Sequence, residues 1–160
     1  MHIVLYEPEI PANTGNIGRT CVATGTPLHL IEPLGFRLTD RYVKRSGMDY
    51  WEQLKLTRYV NWQDFLDQHP QARCFYATTK AGQSYTDVEY QPEDFLVFGP
   101  ESRGLPEDML RKEPGRCVRI PMLDETRSLN LSNSVAIILY EALRQNGFLG
   151  LEEKGMFAGG

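Results

Sequence analysis

Three clusters of glycine, amide, hydroxyl and charged residues carry the side chains of this 160-residue sequence that could do chemistry. They cover residues 7–19, 98–106 and 120–134. In the first cluster, the guanidinium of Arg19 suits a phosphate group. In the third, Ser128 and Asn130 stand beside Leu129, so polar groups alternate with apolar ones. This mixture is typical of a pocket for a ligand that has both an aromatic ring and hydrogen-bonding groups.

Each cluster also has a purely structural interpretation. Asn13 or Thr14 could cap a helix that carries Arg19 on its surface. Glu101 and Arg103 could form an ion pair in a solvated turn, and the polar residues of the third cluster could cap the helix that follows them. Taken singly, the first two clusters leave both interpretations open. The third has four polar residues within 128–133, which is more than one cap requires.

The elements that must position these clusters are predicted from hydrophobic patterning. Short apolar runs alternate with helical patterns, which is typical of an α/β domain with a mostly parallel sheet and flanking helices. The predicted strands are 3–6, 28–31, 55–60, 74–78, 95–98 and 118–121. The predicted helices are 16–24, 61–68 with Asn61 as its cap, 132–145 closed by Gly147, and a short one at 40–46. Each cluster follows a strand, and open α/β sheets bind ligands at the carboxyl ends of their strands.

Several common chemistries are excluded by inspection. Gly99 and Gly104 have the spacing of a phosphate loop, but Leu105 and Pro106 stand where that loop needs lysine and a hydroxyl residue. The motifs GxGxxG, HExxH and GxSxG do not occur. The histidines are too scattered along the sequence to predict a metal site, and the cysteines are predicted to be small buried thiols. These residues are His2, His29, His69, Cys21, Cys74 and Cys117.

Length and composition predict one domain, over residues 1–148, with a flexible tail at 149–160. The chain has 17 basic and 21 acidic residues, a mass of 18.3 kDa and a net charge of -4. A chain of this size supports one hydrophobic core. Since no run of 18 apolar residues and no signal-peptide pattern occurs, we expect a cytoplasmic protein without a membrane segment or a separate RNA-binding domain.

The acidic total conceals a basic, aromatic stretch at residues 37–58. It holds six basic and three acidic residues, a net charge of +3, so that the rest of the chain carries -7. Tyr42, Tyr50 and Trp51 interleave with these charges. The stretch predicts contact with RNA, in which Arg41, Lys44 and Arg45 meet phosphates and the aromatic rings stack on unpaired bases. A solvated charged face is the alternative.

Together, the three clusters resemble the motifs of the SPOUT superfamily of RNA methyltransferases, in particular its TrmH-type 2′-O-ribose branch. Residues 13–19 resemble the first motif, 98–104 the second, and 120–122 with 128–134 the third. The likeness extends from residue 3 to about residue 147. The short chain and residues 3–11 resemble most closely the small TrmL (YibK-type) subfamily, which methylates the cytidine or uridine ribose at wobble position 34 of tRNA-Leu isoacceptors.

The resemblance implies a Rossmann-like fold with a C-terminal trefoil knot, a homodimer, S-adenosyl-L-methionine as methyl donor without a metal, and the tRNA anticodon stem-loop as substrate. It implies donor contacts from Ala77, Thr78, Gly99, Glu101, Ile120, Met122, Ser128 and Leu129. It implies catalytic roles for Arg19, Asn130, Glu101 and Ser128, and substrate contacts from Asn13, Arg19, Arg41, Lys44 and Arg45. Gly18 and Leu129 depart from the pattern, since a bulkier apolar residue and methionine are common there.

In the mechanism that these residues suggest, Arg19 engages the substrate phosphate or ribose and promotes loss of the hydroxyl proton. An arginine side chain keeps its proton in proteins and cannot act as a free base, so the role of Arg19 is electrostatic, or the substrate phosphate takes the proton. Asn130 and Ser128 orient groups, and Glu101 shapes the site. The alternatives are ribose methylation of ribosomal RNA or of another tRNA position, and a non-catalytic RNA-binding module. Tyr140 faces either a partner subunit or, more simply, solvent or core.

Overall fold

The computed structural model describes residues 1–39 and 50–159 of the chain. The described residues form one sheet of six parallel strands with helices on both faces, which confirms the predicted fold class. The strands are β1 (His2–Tyr6), β2 (Leu28–Ile31), β3 (Leu56–Tyr59), β4 (Cys74–Ala77), β5 (Phe95–Phe98) and β6 (Cys117–Val118). The helices are α1 (Pro11–Thr24), α2 (Trp62–Gln68), α3 (Glu107–Lys112) and α4 (Leu131–Gln145), with 3₁₀ turns at Trp51–Gln53 and Pro114–Arg116.

The central strands are apolar on both faces because both faces are covered. Every residue of β2 and β5 is buried, as expected for parallel strands between two helical layers. On one face, α1 and α4 pack against Ile3 and Leu5. On the other face, α2 and α3 pack against Val4 and Val97. Because helices cover both faces of the sheet, a ligand can reach the strands only at their ends.

The strand order places the clusters side by side at the carboxyl ends of the strands. The order is β3-β2-β1-β5-β4-β6, so β5 lies directly between β1 and β4. Leu5 of β1 aligns with Leu30 of β2 and with Phe98 of β5, which brings the carboxyl ends of these strands to one level. The direction of strand addition reverses between β1 and β5, and open α/β sheets bind ligands beside such a reversal.

Most predicted elements are confirmed, with differences at their ends. The bounds of β2 and β5 are as predicted, and α2 begins after Asn61, whose Oδ1 accepts a hydrogen bond of 2.8 Å from the amide of Asp64. The last strand is shorter than predicted, because β6 ends at Val118. The sequence did not predict α3, and the predicted helix at 40–46 lies outside the described residues.

The start of α1 was predicted wrongly. The helix begins at Pro11 rather than at residue 16, so Asn13 and Thr14 lie inside its first turns and do not cap it. Proline is favoured at the first helical position because its missing N–H would have no intrahelical partner there. Asn13 instead forms hydrogen bonds with Glu101 and Asn130, and the buried hydroxyl of Thr14 has no hydrogen-bond partner among the described residues.

The three cysteines are free and buried, as predicted. Burial raises the pKa of the Cys21 and Cys74 thiols to about 12, so these side chains stay protonated. Among the described residues, none belongs to a helix that is long and apolar enough to cross a membrane. The tail from residue 149 to residue 159 lies outside the helices and strands, and its predicted flexibility stays a prediction, as does the trefoil knot.

Candidate active site

A cleft of about 650 Å³ opens at the carboxyl edge of the sheet, where the segments that follow β1, β4, β5 and β6 meet. Its volume lies within the range of small-molecule sites, about 300–1,000 Å³. The walls combine apolar side chains with amides, hydroxyls and charged groups from all three sequence clusters. The cleft is therefore the candidate active site.

The structure brings most of the predicted site residues into this cleft. All eight residues expected to contact the methyl donor line it: Ala77, Thr78, Gly99, Glu101, Ile120, Met122, Ser128 and Leu129. Asn130, a predicted catalytic residue, and Asn13, a predicted substrate contact, line it as well. Their roles remain predictions, but their proximity is a property of the fold.

Hydrogen bonds to two glutamate side chains connect the loop after β1 to the loop after β5. Glu101 accepts hydrogen bonds from the backbone amides of Glu9 and Ile10 at 2.9 and 2.7 Å. In return, the Glu9 carboxylate accepts from the amide and hydroxyl of Ser102 at 2.8 and 2.9 Å, and these bonds lower the pKa of Glu9. Glu101 thus occupies the amino-terminal end of α1, where the helix dipole favours a negative charge.

Asn13 connects this pair of loops to the third cluster. Its Nδ2 donates to Oε2 of Glu101 at 3.3 Å, and its Oδ1 accepts from Nδ2 of Asn130 at 3.2 Å. The Oδ1 of Asn130 accepts in turn from the amides of Ser132 and Asn133 at 2.9 and 3.4 Å, which caps α4. Three segments that are distant in sequence therefore meet in one hydrogen-bonded chain.

This chain fixes the orientation of both side-chain amides. Glu101 as a carboxylate only accepts, and the backbone amides at the start of α4 only donate. Asn13 must therefore turn its nitrogen to Glu101, and Asn130 must turn its nitrogen to Asn13. Each Nδ2 carries two N–H groups and donates one of them within this hydrogen-bonded series. The second N–H of Asn130 is held in a defined direction beside the cleft.

Gly99 allows the backbone of the second loop to fold tightly on itself. A Cβ atom at residue 99 would lie 2.4 Å from the carbonyl carbon of Gly104 and 2.4 Å from the amide nitrogen of Leu105. Gly104 itself has a positive φ of 70°, a conformation that favours glycine. The two glycines of the loop therefore shape the cleft wall through their backbone.

The structure does not bring Arg19 to the cleft. Among the described residues, those that line the cleft do not include it. Arg19 follows Asn13 by six residues, which turns it about 120° around α1. Its guanidinium lies over the ring of Tyr50, 5.0 Å from the centroid, a cation–π arrangement. Its predicted catalytic role stays a prediction.

The aromatic residues after position 49 pack on α1. A Cβ at Gly18 would lie 3.2 Å from Leu54 and 3.3 Å from Trp51, so the missing side chain makes room for this segment. Gly18, a departure from the family pattern, thus has a structural explanation. Base stacking was predicted for Trp51, but part of its ring packs against α1 at Gly18. Tyr42 and the predicted phosphate contacts Arg41, Lys44 and Arg45 lie outside the described residues.

Sequence reasoning missed Lys80 and Arg127, whereas Arg103, like Glu101, was a candidate for contacting substrate because it lies in the second cluster. Lys80, Arg103 and Arg127 line the cleft together with apolar residues of β5, β6 and α4. Arg103 forms an ion pair with Glu7, and Lys80 forms one with Glu107. Arg127 directly precedes the predicted contact Ser128, and this adjacency was the available signal.

The three histidines are scattered in sequence but lie close together in the fold, and none of them lines the cleft. Nδ1 of His2 lies 3.0 Å from Nε2 of His29, and the hydroxyl of Tyr59 lies 2.8 Å from both His29 and His69. Burial lowers the pKa of all three imidazoles, that of His29 to about 3. Within the described part of the chain, no group of three or more His, Cys, Asp or Glu residues is arranged to hold a metal ion.

Comparison with known proteins gives a consistent result. The family model described as "SpoU rRNA Methylase family" matches residues 1–140. The tRNA (cytidine(34)-2′-O)-methyltransferase of Escherichia coli strain K12 is 48% identical over 151 residues, which cover 94% of this chain and 96% of the relative. A putative tRNA (cytidine(34)-2′-O)-methyltransferase of Listeria monocytogenes is 51% identical over 150 residues, which cover 92% and 89%.

Solved structures agree with these relatives. A protein described in connection with the 2-OH methylation of C/U34 on tRNA superposes with a TM-score of 0.87 at 45% identity, covering 91% of this chain and 95% of that one. An AdoMet-bound rRNA methyltransferase from Sinorhizobium meliloti superposes with a TM-score of 0.79 at 29% identity, covering 89% of this chain and 55% of that one.

Proposed function

This chain belongs to the SpoU rRNA methylase family, and we propose that it transfers a methyl group from S-adenosylmethionine to the 2′-hydroxyl of the ribose at position 34 of tRNA. The observation that carries the proposal is the cleft, which gathers side chains of all three motifs at one edge of the sheet. Relatives that match nearly the whole chain at about half identity are methyltransferases of cytidine 34 in tRNA. By resemblance, leucine tRNAs are the expected isoacceptors.

The residues present fit S-adenosylmethionine. The cleft combines apolar walls, among them Ile120 and Leu129, with the hydroxyls of Thr78 and Ser128, as an adenosine with a polar amino-acid tail requires. Gly99 lines the cleft and packs closely against the backbone of Gly104 and Leu105. When bound there, S-adenosylmethionine supplies a methyl group that is already activated on a sulfonium sulfur. An AdoMet-bound structure with the same fold supports this assignment.

The protein's own task is to position and assist one hydroxyl oxygen of the ribose. In the proposed mechanism, the fixed N–H of Asn130 donates a hydrogen bond to the acceptor ribose, and Ser128 helps to orient it. Glu101 accepts three hydrogen bonds from the first cluster, so it positions Asn13 and Asn130 rather than carrying a proton. Arg19 supplies positive charge toward the RNA phosphate, and a group of the RNA takes the hydroxyl proton.

The RNA is held by the basic stretch 37–58 together with Asn13 at the cleft. Positive charge in that stretch is locally concentrated, which suits the phosphates of an anticodon stem-loop. Arg41, Lys44 and Arg45 are the proposed phosphate contacts.

We also propose that the chain acts as a homodimer. Tyr140 on α4 exposes 45% of its surface, and Arg19 lies outside the cleft of its own chain. A second copy would cover the exposed ring and bring another Arg19 near the site. Light scattering coupled to size-exclusion chromatography should give twice the mass of 18.3 kDa, and a monomer that is fully active would contradict this proposal.

The function is tested in two separate reactions, in which the protein is incubated with tritium-labelled S-adenosylmethionine and either bulk tRNA or ribosomal RNA. We expect label in tRNA only. Label in ribosomal RNA alone would favour the alternative substrate, and label in neither, from protein that binds the methyl donor, would favour a non-catalytic module.

A further inference from the structure

Three cationic side chains line the cleft, and two of them are already neutralised. Lys80 is paired with Glu107 and Arg103 with Glu7. Arg127 is the third, and within residues 1–39 and 50–159 it has no ion-pair partner. Its charge is therefore available to an anion that enters the cleft.

The position of Arg127 indicates which anion. It lies on an exposed segment between Met122 and α4, at the rim of the cleft rather than on its floor. Ser128 follows Arg127 directly and Asn130 lies three positions after Arg127, so a group held by Arg127 lies next to the proposed acceptor site. Near the acceptor ribose, the anions of an RNA chain are the phosphates on its two sides.

We propose that Arg127 binds a backbone phosphate of the RNA adjacent to the methylated ribose and thereby places the 2′-hydroxyl opposite the methyl donor. The inference rests on the proposed function and adds a positioning residue to it. A guanidinium can donate two parallel hydrogen bonds to one phosphate, which fixes direction as well as distance. An ammonium group would supply only the charge, so lysine is an informative replacement.

The test compares Arg127→Ala, Arg127→Lys and a control variant in steady-state methylation of tRNA. Arg111→Ala is the control, because Arg111 is an exposed arginine outside the cleft whose charge is already paired with Glu107. For Arg127→Ala, we expect KM for tRNA to rise about tenfold and the dependence of log KM on log salt to become shallower by about one phosphate contact. Arg127→Lys should restore the salt dependence but only part of the affinity, and Arg111→Ala should match the wild type.

Arg127 could bind either an RNA phosphate or the carboxylate of S-adenosylmethionine. The dissociation constant for S-adenosylmethionine, measured by calorimetry without RNA, distinguishes these two anions. We expect it to stay within about twofold of the wild-type value in Arg127→Ala. A tenfold loss of donor affinity would overturn the inference, since Arg127 would then hold the donor carboxylate. An unchanged KM for tRNA would overturn it too. Failure of the wild-type protein to methylate tRNA would instead contradict the proposed function.

Discussion

Asn13 is the residue at which the three motifs of the cleft are joined. It donates to Glu101, accepts from Asn130, and lies 6% exposed in the first turn of α1. Because Glu101 only accepts and the backbone amides at the start of α4 only donate, hydrogen-bonding chemistry alone fixes the orientation of the Asn13 and Asn130 side-chain amides. The consequence is a fixed N–H of Asn130 beside the space that the ribose is proposed to enter.

Removing Glu101 should therefore affect both stability and turnover. In Glu101→Ala, the amides of Glu9 and Ile10 lose their acceptor and α1 loses the negative charge at its amino-terminal end. Equilibrium urea unfolding should show a loss of about 1–2 kcal/mol. Turnover should fall by more than donor affinity, since Asn13 is then free to rotate. Unchanged stability and activity would contradict a positioning role for Glu101.

The histidine network gives the protein a pH dependence of stability that is unrelated to the cleft. His29 is 5% exposed, and burial lowers its pKa to about 3, with neighbouring His2 and His69 acting in the same direction. The unfolded chain binds a proton at His29 below about pH 6.5, whereas the folded chain does not until much lower pH. The ionisation of His29 therefore does not reduce the free energy of unfolding above pH 6.5, but it reduces this free energy progressively as the pH falls from 6.5 toward 3.

Urea unfolding at pH 7.5 and pH 5 tests this dependence. Between these values, the wild type should lose about 1–2 kcal/mol through His29, at about 1.4 kcal/mol per pH unit below 6.5. His29→Phe should be less stable at pH 7.5, because Tyr59 and His2 lose a partner, but it should lose less on acidification. An equal acid loss in both proteins would show that His29 does not contribute.

Among the elements, α1 shows where sequence reasoning succeeds and where it stops. Its apolar residues and its end before Gly25 follow local patterns, but its start does not. The group that satisfies the backbone there is Glu101, about 90 residues away, and no local pattern reports such a partner. The same limit applies to the histidines. Residue types near a strand end predicted which side chains share the cleft, whereas the partner of each side chain required the fold.

Gly99, in the loop after β5, has no room for a side chain. Gly99→Ala places a Cβ at 2.4 Å from backbone atoms of Gly104 and Leu105, which must then move. We expect thermal unfolding at lower temperature and at least a tenfold loss of affinity for S-adenosylmethionine, because the backbone that forms the cleft wall is displaced. Gly115→Ala is the matched control, since a Cβ there meets nothing within 4 Å. Equal behaviour of the two variants would contradict this account of the loop.

At the scale of the whole molecule, the strand order decides which motifs can cooperate. Placing β5 between β1 and β4 brings the first and second motifs side by side. The segment after β6 lines the same cleft as Ala77 and Thr78, and its Asn130 donates a hydrogen bond to Asn13. Composition and periodicity predicted a parallel sheet but not this order. The turn of about 120° around α1 between Asn13 and Arg19 leaves Arg19 outside its own cleft, which connects its proposed role to the proposed homodimer.

Mixing two inactive variants tests whether Arg19 serves the cleft of the partner subunit. Arg19→Ala and Asn130→Ala are each expected to be inactive as homodimers. In a mixed dimer, the cleft of the first chain would receive Arg19 from the second, so random exchange should restore about a quarter of the wild-type activity. No recovery, with exchange of subunits confirmed by mass spectrometry, would place Arg19 at the cleft of its own chain.

Mapping the methylated nucleotide shows whether this cleft methylates the ribose at position 34 of tRNA. Leucine tRNA is incubated with the protein and S-adenosylmethionine, digested, and sequenced by mass spectrometry, with Asn130→Ala as the control. We expect a single 2′-O-methyl group on cytidine or uridine 34 with the wild type and none with the variant. Methylation at another position, on a base, or at an undiminished rate with Asn130→Ala would contradict the account.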